Sequence, residues 1–87
     1  MTEKQVTLGT ALHLRPASLL VQAASKFKGT VVKLVKDSKE ADCRSAFSLV
    51  ALGAGEGTIV TIQTEGPQEM EALAALAELA ASKFGEW

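Results

Sequence analysis

Residues 58–64, Thr-Ile-Val-Thr-Ile-Gln-Thr, decide the fold, because apolar and polar side chains alternate along this stretch. Side chains of a β-strand point alternately to opposite faces of a sheet, so the pattern predicts a strand with Val60 and Ile62 turned inward. Three other short segments have β-branched or alternating patterns and are also predicted as strands: residues 4–8, 30–36 and 39–43. Their inward residues are Val6, Leu8, Val32, Leu34, Ala41 and Cys43. Strands with one apolar face need a second layer to cover that face.

Three segments with helical patterns can supply that layer. Residues 17–28 carry apolar side chains at helical spacing (Ala17, Leu20, Val21, Ala24 and Phe27), and Pro16 suits the first turn of a helix. Residues 46–52 are predicted as a short helix, capped by Ser45 and closed by Gly53. Residues 67 to about 84 are rich in Ala and Leu, with an expected apolar face of Met70, Leu73, Leu76, Ala77, Ala80 and Phe84. The order β-α-β-β-α-β-α predicts an α+β fold, a two-layer open-faced sandwich whose four-stranded antiparallel sheet is covered on one face by helices.

Composition excludes several classes of function. With 87 residues the chain is predicted to be a single domain over residues 1–87. A net charge of −1 and the lack of a basic run or of any Tyr argue against nucleic-acid binding. No apolar stretch reaches the roughly 20 residues that cross a bilayer, so we expect no membrane insertion and a cytoplasmic location. Cys43, the single cysteine, cannot form an internal disulfide, and we expect neither a metal site nor a cofactor.

His13 is the single histidine, and it lies just before a predicted helix. The amino end of a helix attracts anions, and Arg15 adds a forked donor that fits phosphate. A nucleophile, an anion site and a cation therefore lie within a few residues. These features alone leave open that His13 is only a surface or capping residue.

Two longer motifs extend this interpretation. Residues 13–17, His-Leu-Arg-Pro-Ala, resemble the active-site motif of HPr, the histidine-containing phosphocarrier family of the bacterial phosphoenolpyruvate:sugar phosphotransferase system. Residues 44–47, Arg-Ser-Ala-Phe, resemble the second signature of that family, and residues 52–53 and 65–66 also fall where the family has them. The resemblance covers nearly the whole chain.

The resemblance implies a phosphocarrier, a covalent intermediate in phosphotransfer that is not itself an enzyme. His13 would be phosphorylated on Nδ1 by enzyme I and would pass the phosphoryl group to a histidine of enzyme IIA domains for sugar uptake. Arg15 would bind the phosphate. Pro16, Ala17 and Ser18 would complete the phosphate site, with the backbone N–H groups of Ala17 and Ser18 as further donors.

Some apolar residues do not fit the inward pattern. Leu14, Phe47 and Val50 are predicted to form a partner-docking patch around His13, although Phe47 could instead pack inward. Ser45 is predicted to cap its helix, and the resemblance also implies possible regulatory phosphorylation of Ser45 by HPr kinase. We expect the protein to be a monomer.

Two other functions are consistent with the sequence. Residues 66–69 and 71–75 resemble the same region of NPr, the carrier of the nitrogen-related phosphotransferase branch, whereas Phe47 and residues 52–53 favour the sugar branch. A non-catalytic regulatory adaptor would use the docking patch and ignore the histidine. The glycine-rich residues 53–57 precede a strand and not a helix, so they are not predicted to bind a nucleotide.

Overall fold

The computed structural model of the protein describes residues 1–82. It contains the predicted elements in the predicted order: β1 (Thr2–Thr7), α1 (Leu14–Ser25), β2 (Val31–Lys36), β3 (Lys39–Asp42), α2 (Ala46–Ala51), β4 (Ile59–Glu65) and α3 (Glu69–Ala81). Among the helices of residues 1–82, none is both long and apolar enough to span a membrane.

The four strands form one antiparallel sheet in the order β1-β4-β2-β3. Its register places the predicted inward residues opposite one another: Val6 pairs with Val60, and Leu34 pairs with both Ile62 and Ala41. All five side chains are buried, and the helices pack against this face. Cross-strand pairs of this kind stabilise a sheet. The face that the alternating pattern predicted to point inward is therefore confirmed as the core face.

The opposite side of the sheet, which we call the outer face, is mostly polar, although Val31 and Ile59 are exposed there. Its central cross-strand row runs through Glu3, Gln63, Lys33 and Asp42. The amide of Gln63 donates a hydrogen bond to Glu3 Oε1 at 3.0 Å, which ties β4 to β1 on this side. The sheet therefore separates the hydrophobic core from a mostly polar face, as in an open-faced sandwich.

Helix α1 begins and ends three residues before the predicted limits. Its N-cap is His13, so Pro16 lies at the third helical position, and its C-cap is Lys26. The amides of the first turn of an α-helix have no partner within the helix, so a proline, which has no N–H, costs nothing there. Phe27 lies beyond the helix yet still packs against the core.

Helix α3 corrects one predicted core residue. Met70 was expected on the apolar face, but 69% of its surface is exposed. Leu73, Leu76, Ala77 and Ala80 are buried as predicted. Alanines are distributed around several sides of this helix, so the apolar pattern defines its orientation only weakly. Phe84, the other expected member, lies outside the described residues.

Candidate functional site

The structure places His13 at the amino end of α1 with its side chain exposed. Its backbone is extended, with φ −86° and ψ −176°, and its side chain makes no capping hydrogen bond. Its carbonyl oxygen accepts the N–H of Ala17 at 3.1 Å, the first hydrogen bond of the helix. The backbone of His13 thus starts the helix while the imidazole is not engaged in capping it.

The structure bears on one of the two expected backbone donors. The N–H of Ala17 donates to the carbonyl oxygen of His13 at 3.1 Å, and the hydroxyl of Ser18 donates to the carbonyl oxygen of Leu14 at 2.9 Å, while the role expected for the N–H of Ser18 stays a prediction. The amides of Leu14 and Arg15 come before the first helical hydrogen bond, so helix geometry directs them out of the amino end. Together with the helix dipole, amides in this position favour an anion next to the imidazole.

An open depression lies at this end of α1. Its volume is about 710 Å³, and it is lined by His13, Leu14, Arg15 and Ser18. Because His13 and Arg15 are both exposed there, a phosphoryl group carried by another macromolecule can approach both side chains. Within residues 1–82, no three His, Cys, Asp or Glu side chains are grouped so that they could hold a metal ion.

The three residues of the predicted docking patch are all exposed. The exposed fractions are 82% for Phe47, 57% for Leu14 and 36% for Val50, so Phe47 is not part of the core. Helix α2, which carries Phe47 and Val50, packs against α1, which begins at Leu14. Apolar side chains that are exposed next to one another on a small protein often belong to a contact surface.

Ser45 has the predicted capping geometry. It is the N-cap of α2, and its Oγ accepts a hydrogen bond from the N–H of Ser48 at 3.2 Å. The hydroxyl satisfies one of the amides that a helix start leaves without a partner in the helix. Its structural role is therefore confirmed.

Comparison with known proteins decides the family. A family model described as "PTS HPr component phosphorylation site" matches residues 2–82. The chain belongs to the HPr family. Members of this family are phosphocarriers, not catalysts, of the phosphotransferase system, which agrees with the resemblance found in the sequence.

Individual HPr proteins are similar over most of their length. The phosphocarrier protein HPr of Cupriavidus necator is 40% identical over 75 residues, which cover 86% of this chain and 83% of that protein. The crystal structure of HPr from Thermoanaerobacter tengcongensis has a TM-score of 0.90 at 40% identity, covering 100% of this chain and 99% of that one.

An HPr-like protein of known structure bears on the oligomeric state. The crystal structure of Bacillus subtilis Crh has a TM-score of 0.76 at 39% identity and covers 92% of this chain and 91% of its own. That Crh is a domain-swapped dimer. That this chain is a monomer stays a prediction.

Leu12 and Ala54 were not singled out from the sequence. The N–H of Leu12 donates to the carbonyl oxygen of Ala54 at 2.9 Å, and both residues are buried in the core. Ala54 belongs to the glycine-rich loop, residues 53–57. This loop therefore lies against the loop that carries His13. The apolar residue directly before the histidine was the available sequence signal for this contact. Its hydrogen-bond partner, Ala54, is remote in the sequence, so the contact itself could not be predicted.

Cys43 is fully buried, as expected for a core residue of this HPr fold. Desolvation by burial raises the pKa of its thiol to about 12, and the nearby charge of Asp42 acts in the same direction. A thiol that stays protonated at neutral pH is a poor nucleophile. Cys43 is therefore not suited to act as a nucleophile, whereas the imidazole of His13 is exposed.

Proposed function

We propose that this HPr family member carries a phosphoryl group on His13 Nδ1 in the cytoplasm. The donor is phosphorylated enzyme I, and the acceptors are enzyme IIA domains that serve sugar uptake. The observation that supports this proposal best is the exposed imidazole of His13 at the amino end of α1, free of a capping role and two residues before Arg15.

The proposed step is a transfer between two nitrogen atoms. The lone pair of His13 Nδ1 attacks phosphorus, and the N–P bond to the phosphohistidine of enzyme I breaks as the new N–P bond forms. Charge on the three phosphoryl oxygens is stabilised by the guanidinium of Arg15 and by the amides of Leu14 and Arg15. The same step in reverse, with a histidine of enzyme IIA as the nucleophile, unloads the carrier.

The choice of the sugar branch rests on Phe47 and residues 52–53, which resemble sugar-branch carriers. The side chain of Phe47 is exposed in α2, where a partner could contact it. The NPr alternative keeps the same chemistry but different acceptors, because its phosphoryl group would go to a nitrogen-type enzyme IIA. Incubation of the phosphorylated protein with each type of enzyme IIA separates the two branches by which acceptor becomes labelled.

Phosphorylation by enzyme I and phosphoenolpyruvate tests the proposal. We expect the parent protein to gain one phosphoryl group that survives alkali, as phosphohistidine does, and His13→Ala to gain none. Because His13 is exposed, His13→Ala should keep the parent circular dichroism spectrum and change the free energy of unfolding by less than about 0.5 kcal/mol.

A surface control completes this experiment. Gln22→Ala, an exposed position further along α1, should be labelled like the parent protein. Labelling of His13→Ala at the parent level would refute the proposal. A parent protein that binds enzyme I or an enzyme IIA domain but gains no phosphate would instead be the regulatory adaptor.

A further inference from the structure

The loop that carries the nucleophile, residues 8–13, is anchored at its start to two other parts of the chain. The carbonyl oxygen of Leu8 accepts the N–H of Gly57 at 2.9 Å. The N–H of Gly9 donates to the carbonyl oxygen of Ala80, in the last turn of α3, at 3.0 Å. The loop therefore leaves the sheet in a fixed direction.

A second anchor lies directly before the nucleophile. The N–H of Leu12 donates to Ala54 O at 2.9 Å, and the Leu12 side chain is only 3% exposed within the core. On the other side, the carbonyl oxygen of His13 is already held by the amide of Ala17. His13 is thus the single residue between two fixed points, the Leu12–Ala54 hydrogen bond and the first turn of α1.

The acceptor of this hydrogen bond is itself held in place, although it lies in a glycine-rich loop. Ala54 is buried in the core. The N–H of Gly55 donates to Thr58 Oγ1 at 3.1 Å, and the N–H of Thr58 donates back to the carbonyl oxygen of Gly55 at 3.1 Å. These reciprocal bonds restrict the loop immediately after the carbonyl group that Leu12 uses.

We propose that Leu12 and Ala54 are positioning residues for phosphoryl transfer at His13. Their hydrogen bond and the buried Leu12 side chain fix the backbone from which the imidazole projects, so that Nδ1 meets phosphorus in line with the bond that breaks. A displacement of about 1 Å in such a group can reduce a rate roughly 100-fold. The inference rests on the proposed function and adds to it a reason for the geometry of the glycine-rich loop.

A pair of substitutions in the glycine-rich loop tests the acceptor. Ala54→Gly keeps the carbonyl group but removes the buried methyl group and creates three consecutive glycines. We expect the rate of His13 phosphorylation at saturating enzyme I to fall about tenfold, since the imidazole loses its fixed orientation. The enzyme I concentration that gives half the maximal rate should change less than about twofold, because the docking patch is intact. Glu56→Gly, at an exposed position of the same loop, adds similar backbone freedom and should stay within about twofold in both quantities.

Substitutions of Leu12 test the donor side. Leu12→Ala removes the side chain that holds the loop and should lower the saturating rate about tenfold, whereas Leu12→Met nearly conserves volume and should restore most of it. Leu73→Ala truncates another buried leucine, in α3, and measures how much of any loss comes from a weaker core. All rates are compared at a temperature where circular dichroism shows each variant to be folded.

Hydrogen exchange gives a readout that does not depend on phosphorylation. The Leu12 amide of the parent protein should exchange slowly, and in folded Ala54→Gly it should exchange at least about tenfold faster. If the parent Leu12 amide exchanges as fast as an exposed amide, the proposal is wrong whatever the variants do.

The remaining outcomes separate this inference from the proposed function. A parent protein that enzyme I does not phosphorylate refutes the proposed function, and with it the role given to Leu12. A parent protein that is phosphorylated, with folded Ala54→Gly and Leu12→Ala both at the parent rate, overturns the positioning role alone. Equal slowing by Leu12→Ala and Leu73→Ala also overturns it. If Ala54→Gly does not fold, the comparison of the Leu12 variants with Leu73→Ala decides.

Discussion

Arg15 lies in the first turn of α1, and its side chain shares an open depression with His13. Any cationic side chain at this position would supply the same positive charge. The guanidinium differs from an ammonium group because its fixed fork can donate two parallel hydrogen bonds to a phosphate. Substitution by lysine therefore separates charge from hydrogen-bond geometry.

We predict that Arg15→Lys slows phosphoryl transfer in both directions by about tenfold or more, since a hydrogen bond to a charged group is worth roughly 1.5–3 kcal/mol. Affinity for enzyme I should change little. Rapid-quench measurement of both transfers checks the prediction. Arg44→Lys makes the same change at the only other arginine and should keep the parent rates. Equal rates for parent and Arg15→Lys would mean that the fork has no part in transfer.

Ser45 combines two properties in one hydroxyl group. It accepts the amide of Ser48 as the cap of α2, and it lies two residues before Phe47 of the docking patch. A phosphate on Ser45 would suit the positive end of the helix while bringing about two negative charges next to that patch. Stability and docking should therefore respond differently to a charge at this position.

We predict that Ser45→Asp keeps the parent stability, because aspartate is also a good cap, but slows phosphorylation of His13 by enzyme I. Ser45→Ala should instead lose about 0.5–2 kcal/mol of unfolding free energy and keep most of its transfer rate. Denaturant unfolding and the phosphorylation assay measure the two effects. Ser38→Asp, in the turn between β2 and β3, adds the same charge at an exposed control position. If Ser45→Asp accepts phosphate as fast as the parent, phosphorylation of Ser45 is not a switch for this carrier.

Among the helices, α2 is short and buries little, yet it carries the most exposed large apolar side chain of residues 1–82. Leu49 anchors α2 in the core, and Phe47 points away from it. A side chain that is exposed in the free protein contributes little to folding and can contribute much to binding. Helix α2 is thus suited to present a contact surface beside α1.

We predict that Phe47→Ala weakens binding to enzyme I and to enzyme IIA about tenfold, the loss of a central aromatic contact. The free energy of unfolding should change by less than about 0.5 kcal/mol, since the ring is exposed. Titration calorimetry and denaturant unfolding measure the two quantities. Met70→Ala removes another large exposed apolar side chain, from α3, and should leave binding unchanged. Unchanged affinity of Phe47→Ala for both partners would remove α2 from the docking surface.

The elements were predictable where one local pattern dominates. The alternation in β4 and the cap at Ser45 are local, and both were read correctly from the sequence. The start of α1 was placed too late, because the helix was predicted to follow Pro16, whereas proline also fits within the first turn and lies at its third position here. Met70 was misplaced because a helix rich in alanine gives a weak indication of which side is buried. These errors concern the limits and the orientation of helices, not their presence.

At the scale of the whole molecule, Glu69 connects the first strand to the last helix. Its carboxylate accepts hydrogen bonds from the hydroxyl of Thr2 and from the N–H of Gly66, the latter at 3.2 Å. These two bonds, that of Thr2 foremost, hold the pKa of Glu69 below its usual value. Contacts of this kind, like that between Leu12 and Ala54, join residues remote in the sequence. A single sequence therefore gives no local signal for them.

We predict that Glu69→Gln lowers the melting temperature at pH 7. A carboxyl group whose pKa is depressed by folding stabilises the protein above its usual pKa of 4.5, and this contribution is lost as the pH falls through the depressed value. The difference between parent and Glu69→Gln should therefore be largest at neutral pH and shrink below pH 4.5.

Thermal unfolding followed between pH 7 and pH 3 measures this difference. Glu71→Gln removes a charge from an exposed position in the same helical turn and should change the melting temperature less. A difference between parent and Glu69→Gln that stays constant over this pH range would contradict the assignment.

The outer face has a practical consequence for attaching the protein to other materials. Gln5 is exposed and pairs with Thr61 on that side of the sheet, whereas His13 belongs to the helical layer. Cys43, the single native thiol, is buried and stays protonated at neutral pH. Gln5→Cys would thus supply one maleimide-reactive thiol. Through it the protein could be tethered to a bead or sensor chip by the back of the sheet, with the histidine and docking patch facing the solution.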